Sequence, residues 1–135
     1  MTTATGSRKM EIHMLPATSI GDCIIITFQN KTMLIDTNSQ VDIAATVDSC
    51  KKLAPKIDYI MISHYHSDHV GLLHEIAAEC DIKGATIFLP QDIERSYMES
   101  SEELGKMFAL VQNVISEHHL NAVYPDADTK VTIDG

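Results

Sequence analysis

A chain of 135 residues with 44% hydrophobic and 21% charged residues has apolar material for one globular domain and needs no disulfide framework or structural metal to hold a core. Its formal net charge of −9 argues against nonspecific binding to nucleic acid, which draws on clustered Lys and Arg, although bound divalent cations would reverse the sign locally. Three widely spaced cysteines, Cys23, Cys50 and Cys80, fit buried reduced thiols, and no segment reads as a signal peptide or membrane span, so the expected location is the cytoplasm.

Residues 1–8 are small and polar without periodicity and read as a flexible leader. From Lys9 to Leu15 the side chains alternate, with Met10, Ile12 and Met14 on one face and Glu11 and His13 on the other, which predicts a strand. Pro16 to Asp22 reads as a loop. Cys23 to Phe28 and Thr32 to Ile35 are the arms of a hairpin turned at Gln29-Asn30-Lys31. After the break Asp36-Thr37-Asn38-Ser39, Val41 to Leu53 reads as a helix stopped near Pro55, and Ile57 to Ser63 as a buried strand. Leu72, Leu73, Ile76, Ala77 and Cys80 fall at helical spacing, and Thr86 to Leu89 is a further strand closed by Pro90. A short helix is expected over Asp92 to Glu99. Ser100 and Glu103 then form a capping box for a helix whose apolar face runs from Leu104 through Met107, Phe108 and Val111 to His118. Ala122 to Tyr124 and Lys130 to Ile133 read as two last short strands. The order β-β-β-α-β-α-β-α-β-β is that of an α/β layered fold.

The run His64-Tyr65-His66-Ser67-Asp68-His69 follows the fourth strand directly. His64, His66 and Asp68 are spaced two apart, so in an extended segment they point to one side, while His69 sits where the chain turns into the next helix. Neutral imidazole and ionised carboxylate are the donors that zinc and similar divalent ions take, and the positive end of a helix near His69 disfavours imidazolium. Four such side chains in six residues can serve two ions, His64 and His66 on one and Asp68 and His69 on the other. The plainer account of Asp68 is an N-cap for the following helix. His13, His74, His118 and His119 read as strand, helix-surface or core-edge residues, since His118 and His119 are adjacent on a helix and point about 100° apart.

His-x-His-x-Asp-His after an apolar strand resembles the defining motif of metallo-β-lactamase-fold hydrolases, and the resemblance extends from Lys9 to the end of the chain. Gly21-Asp22-Cys23-Ile24-Ile25-Ile26 followed by Met33-Leu34-Ile35-Asp36-Thr37 is similar to the family's opening hairpin, particularly as found in the hydrolase domains of bacterial DNA-uptake competence proteins. The resemblance implies an αββα sandwich of which residues 9–135 form the N-terminal half, with the remaining ligands (a third histidine, a bridging aspartate and a last histidine) in the later half. It also implies two metal ions, zinc with Mn2+ or Fe2+ as alternatives, held by His64, His66, Asp68 and His69, and Asp36 as the carboxylate behind them. Two positions depart from the family pattern. Gly71-Leu72 replaces Gly-Gly, which places Leu72 at the pocket rim. Asp36-Thr37-Asn38 replaces Asp-Thr-Gly, a mild change because Asn tolerates a left-handed backbone.

The chemistry implied is hydrolysis by metal-activated water, with Asp68 orienting the water and accepting its proton. The substrate would carry a phosphodiester or another ester-type bond. A nuclease-like phosphodiesterase leads, a cytosolic thioesterase or lactonase is the alternative, and a non-catalytic half-domain is the third reading. Nucleic acid as a partner is admitted by the resemblance but not supported by charge. Pairing with a second copy or with a C-terminal half is expected.

Overall fold

The computed structural model describes residues 9–90 and 101–133. The leader, the helix expected over Asp92 to Glu99 and Ser100 of the capping box lie outside those residues. The strands are β1 (Met10–Met14), β2 (Ile24–Phe28), β3 (Lys31–Ile35), β4 (Tyr59–Met61), β5 (Thr86–Phe88) and β6 (Asn121–Val123). The helices are α1 (Ile43–Leu53, preceded by a 3-10 turn over Gln40–Asp42), α2 (Ser67–Val70), α3 (Leu73–Glu79) and α4 (Glu102–His118). All six strands form one mixed sheet in sequence order, antiparallel from β1 to β3 and parallel from β3 to β6.

The register explains the core. Ile25, Leu34, Ile60 and Ile87 stand on one face of the sheet and are wholly buried. Against them lies a single layer of helices, with Cys50, Leu73, Ile76, Leu104, Val111 and Val114 in the same cluster. Alternation along strands and 3.6-residue periodicity along helices thus meet in one seam. This is an α/β architecture consistent with the metallo-β-lactamase αββα arrangement over part of the chain, a central mixed sheet with helices against it.

The opposite face is apolar and open. Met10, Ile12 and Met14 do share a face, as their alternation predicts, but they are 56%, 59% and 74% exposed. Val131 and Ile133 come back over this face and, with Met10, Ile26, Phe28 and Met33, line a cavity of about 340 Å3. Residues 130–133 therefore do not form the expected strand, though Val131 and Ile133 line this cavity.

Two further expectations need correction. The last helix has Ser101 at its N-cap, its side chain accepting from the Leu104 amide at 3.4 Å, one residue after the expected Ser100. Leu72 is wholly buried in the core cluster, its amide donating to Thr37 Oγ1, so it does not reach a pocket rim. No helix among the described residues is long and apolar enough to cross a membrane.

Candidate metal centre

The histidine run leaves the sheet where β4 ends. The Ile62 amide still donates to Phe88 O, and the Ser63 amide then turns to Asp36 Oδ1 at 2.9 Å. Asp36 itself follows β3, the parallel neighbour of β4, so the site forms beyond the carboxyl ends of two adjacent strands, where open α/β sheets place ligands. Alternation holds through the first half of the run. Tyr65 turns inward, buried, its ring 5.4 Å edge-on from Phe108 of α4, while His64 and His66 turn outward with ring centroids 4.7 Å apart. At Ser67 the chain enters α2, with His66 as its N-cap, so Asp68 and His69 reach the cluster from a helical turn and not along an extended strand. Asp68 is therefore not the cap. The His64 and His69 rings lie 4.0 Å apart.

Behind these rings sits Asp36, 3% exposed. Its Oδ2 accepts from Ser63 Oγ at 2.5 Å and lies 2.8 Å from His69 Nδ1. Ser63 Oγ is also 3.0 Å from His64 Nδ1, so one hydroxyl ties the carboxylate to two imidazoles. With Nδ1 of His69 held by Asp36, its Nε2 faces Asp68 Oδ2 at 3.4 Å. Partial burial, then the neighbouring His69 and His66 rings, hold His64 below the ordinary histidine range against the opposing pull of Asp36 and Asp68. A neutral ring keeps its lone pair for coordination.

The backbone around Asp36 is strained. Asp36 and Asn38 both have positive φ, 57° and 65°, a conformation that costs on the order of 1–3 kcal/mol each outside glycine. Packing holds it in place: the Thr37 amide donates to His69 O at 2.8 Å and the Asn38 amide to Asp22 O at 2.9 Å. Asn38 adopts the left-handed backbone expected of it and uses its amide as glycine could not, donating to Pro16 O and Thr46 Oγ1.

Asp22, on the β1–β2 loop, completes a group the sequence reading did not assemble. Donor atoms of Asp22, Asp36 and His69 lie within 4.8 Å of one another. Carboxylate oxygens with an imidazole nitrogen are a donor set that fits a zinc-class divalent ion. His69 Nδ1 lies 3.7 Å from Asp22 Oδ2 and 2.8 Å from Asp36 Oδ2, while its Nε2 lies 3.4 Å from Asp68 Oδ2. The 2.8 Å contact to Asp36 engages Nδ1, so Nε2 is the nitrogen left to face an ion. Ser63 and Asp22 were legible only as neighbours of the motif and of the hairpin. His118 lies elsewhere: its carbonyl accepts from Gly84 at the start of β5, the opposite end of the parallel strands.

Comparison with known proteins bears on the fold. The Drosophila melanogaster cleavage and polyadenylation specificity factor 73 is 27% identical over 99% of this chain, which covers 20% of that protein. Among solved structures, YhfI of Bacillus subtilis, a metallo-β-lactamase fold protein, matches with a TM-score of 0.57 at 15% identity, over 92% of this chain and 48% of its own. A diphosphatase of the PhnP family matches with a TM-score of 0.52 at 15% identity, over 87% and 51%. The chain therefore spans about half the length of these structures and a fifth of the fly protein. The profile of the metallo-beta-lactamase superfamily matches residues 17–127, most of the chain, and the chain belongs to that superfamily.

Proposed function

We propose that this chain contributes the first half of a metal-dependent hydrolase site and that the bond broken is a phosphodiester. The observation carrying the reading is the contact of the His64 ring with those of His66 and His69, with Asp68 beside His69 and the buried Asp36 carboxylate holding His69 from behind. In this reading His64, His66, Asp68 and His69 would hold two ions, zinc in the first instance with Mn2+ or Fe2+ as alternatives, and Asp22 stands beside Asp36 and His69. A divalent ion there supplies Lewis acidity, which can lower the pKa of water to about 7. Asp36 and Ser63 fix the rings, and Asp68 orients water and takes its proton. Residues 9–135 act as the N-terminal half of the hydrolase domain, supported by the open sheet face and by the greater length of the relatives. A second half-domain or a second copy is the partner for that face. Three buried free thiols suit a reducing compartment such as the cytoplasm.

The choice of a phosphodiester is supported by a fly relative named for cleavage and polyadenylation. A thioesterase or lactonase is the second reading, favoured by the exposed aliphatic side chains of Ile20 and Val41 near the cluster. The test is hydrolysis of bis(4-nitrophenyl) phosphate beside an acyl thioester by the chain with zinc or manganese. Turnover is expected to be low, because two ligands per ion fall short of the three that catalytic zinc normally has. It should favour the diester and vanish in His66→Ala. Faster thioester cleavage would transfer the assignment to the second reading.

A further inference from the structure

The groups behind the imidazoles leave one placement for their protons. Asp36 and the chain leaving β4 are locked together in both directions. The Asp36 amide donates to Met61 O at 3.0 Å, and the Ser63 amide donates to Asp36 Oδ1 at 2.9 Å. This lock brings the Ser63 hydroxyl within 2.5 Å of Asp36 Oδ2, a separation that needs a hydrogen between the two oxygens. An ionised carboxylate has none to give, so the hydroxyl donates. A serine hydroxyl carries a single hydrogen, and what remains on Oγ is acceptor capacity.

His64 Nδ1 lies 3.0 Å from that same oxygen. With the hydroxyl hydrogen committed to Asp36, the contact is a hydrogen bond only if Nδ1 carries a hydrogen and donates it. The neutral His64 ring then holds its proton on Nδ1 and its lone pair on Nε2. His69 reaches the same state directly, since its Nδ1 lies 2.8 Å from Asp36 Oδ2 and an ionised oxygen only accepts. One carboxylate thus sets two rings, His69 by contact and His64 through a serine. A free imidazole in water favours the opposite form, with the proton on Nε2, so the arrangement works against the ring's own preference.

We infer that Ser63 is a positioning residue that relays the Asp36 charge to His64 and keeps the Nε2 lone pair of that ring free for a divalent ion. The inference rests on the hydrolase reading for what Nε2 faces, and deepens it by giving Ser63 a role that only a hydroxyl can fill. Threonine would supply the same group. Alanine would take this acceptor from His64 Nδ1 while leaving the contact between Asp36 and His69 in place.

The experiment reads ring tautomers from long-range 15N–1H correlation spectra of the zinc-free chain at about pH 8, where imidazole is neutral. The His64 signals are assigned by their loss in His64→Ala. In the unaltered chain His64 and His69 should both carry the hydrogen on Nδ1. In Ser63→Ala, His64 should pass to the Nε2-protonated form while His69 keeps Nδ1, a split that general loosening of the site would not produce. Zinc affinity should fall about tenfold in the same variant, the low end for lost partners of metal ligands, and Ser63→Thr should restore both tautomer and affinity. The unaltered chain and Ser63→Thr decide the matter even where Ser63→Ala fails to fold. His64 protonated on Nε2 in the unaltered chain, or unmoved in Ser63→Ala, would overturn the inference. Zinc content that is the same in His64→Ala would instead defeat the hydrolase reading.

Discussion

Asp36 shows how much of the site depends on one side chain. Its carboxylate is buried and accepts from a backbone amide and a hydroxyl while contacting an imidazole, so its removal would free Ser63 and His69 together. Outer partners of this kind commonly change metal affinity 10–100-fold. Asp36→Asn keeps the shape but halves the accepting oxygens, and zinc affinity is expected to fall by about that range, measured by competition with a chromophoric chelator. An unchanged affinity would mean that the His69 contact positions nothing. The motif residues were legible because six consecutive positions carry their chemistry on their face. Ser63 was not, because a serine before a histidine has many uses and only the fold brings Asp36 to it across 27 positions of sequence. Asp22 escaped for the same reason: a loop carboxylate declares itself only when its neighbours are placed.

At the scale of elements, periodicity located every described strand and every described α-helix but the short α2, added a strand over residues 130–133 that does not form, and failed on directions. Alternation from His64 to Asp68 was cut short at Ser67 by α2, because a helical turn beginning there lets Thr37 bond to His69 O and Leu72 enter the core. The exposed apolar face of β1 escaped as well, since alternation says which residues share a face and nothing about what covers it. The junction of α2 and α3 rests on Gly71. A Cβ there would stand 2.2 Å from Ser67 O, backbone that cannot move without moving the turn that bears Asp68 and His69. Gly71→Ala is expected to lower stability by about 1–3 kcal/mol, the range for overpacking, and to weaken zinc binding as well. Urea denaturation with zinc titration would check both, and loss of neither would show that the turn is free to shift.

For the whole molecule, the open sheet face sets the behaviour. Met10, Ile12, Met14 and Met61 form an apolar surface of the kind that marks an interface. Sedimentation is expected to show concentration-dependent self-association, reduced in Ile12→Lys with helix content unchanged; a strictly monomeric chain at all concentrations would show that the face needs no partner. The architecture was readable from the alternation of element types, and its openness from the resemblance alone, because an uncovered face is written in the partner's sequence. The account as a whole turns on the cluster being a metal centre. Elemental analysis of zinc-treated protein measures that directly: His64→Ala and His66→Ala should lose most of the bound zinc, while His118→Ala, at the far end of the strands, keeps it. Equal retention or equal loss across the three would contradict the assignment.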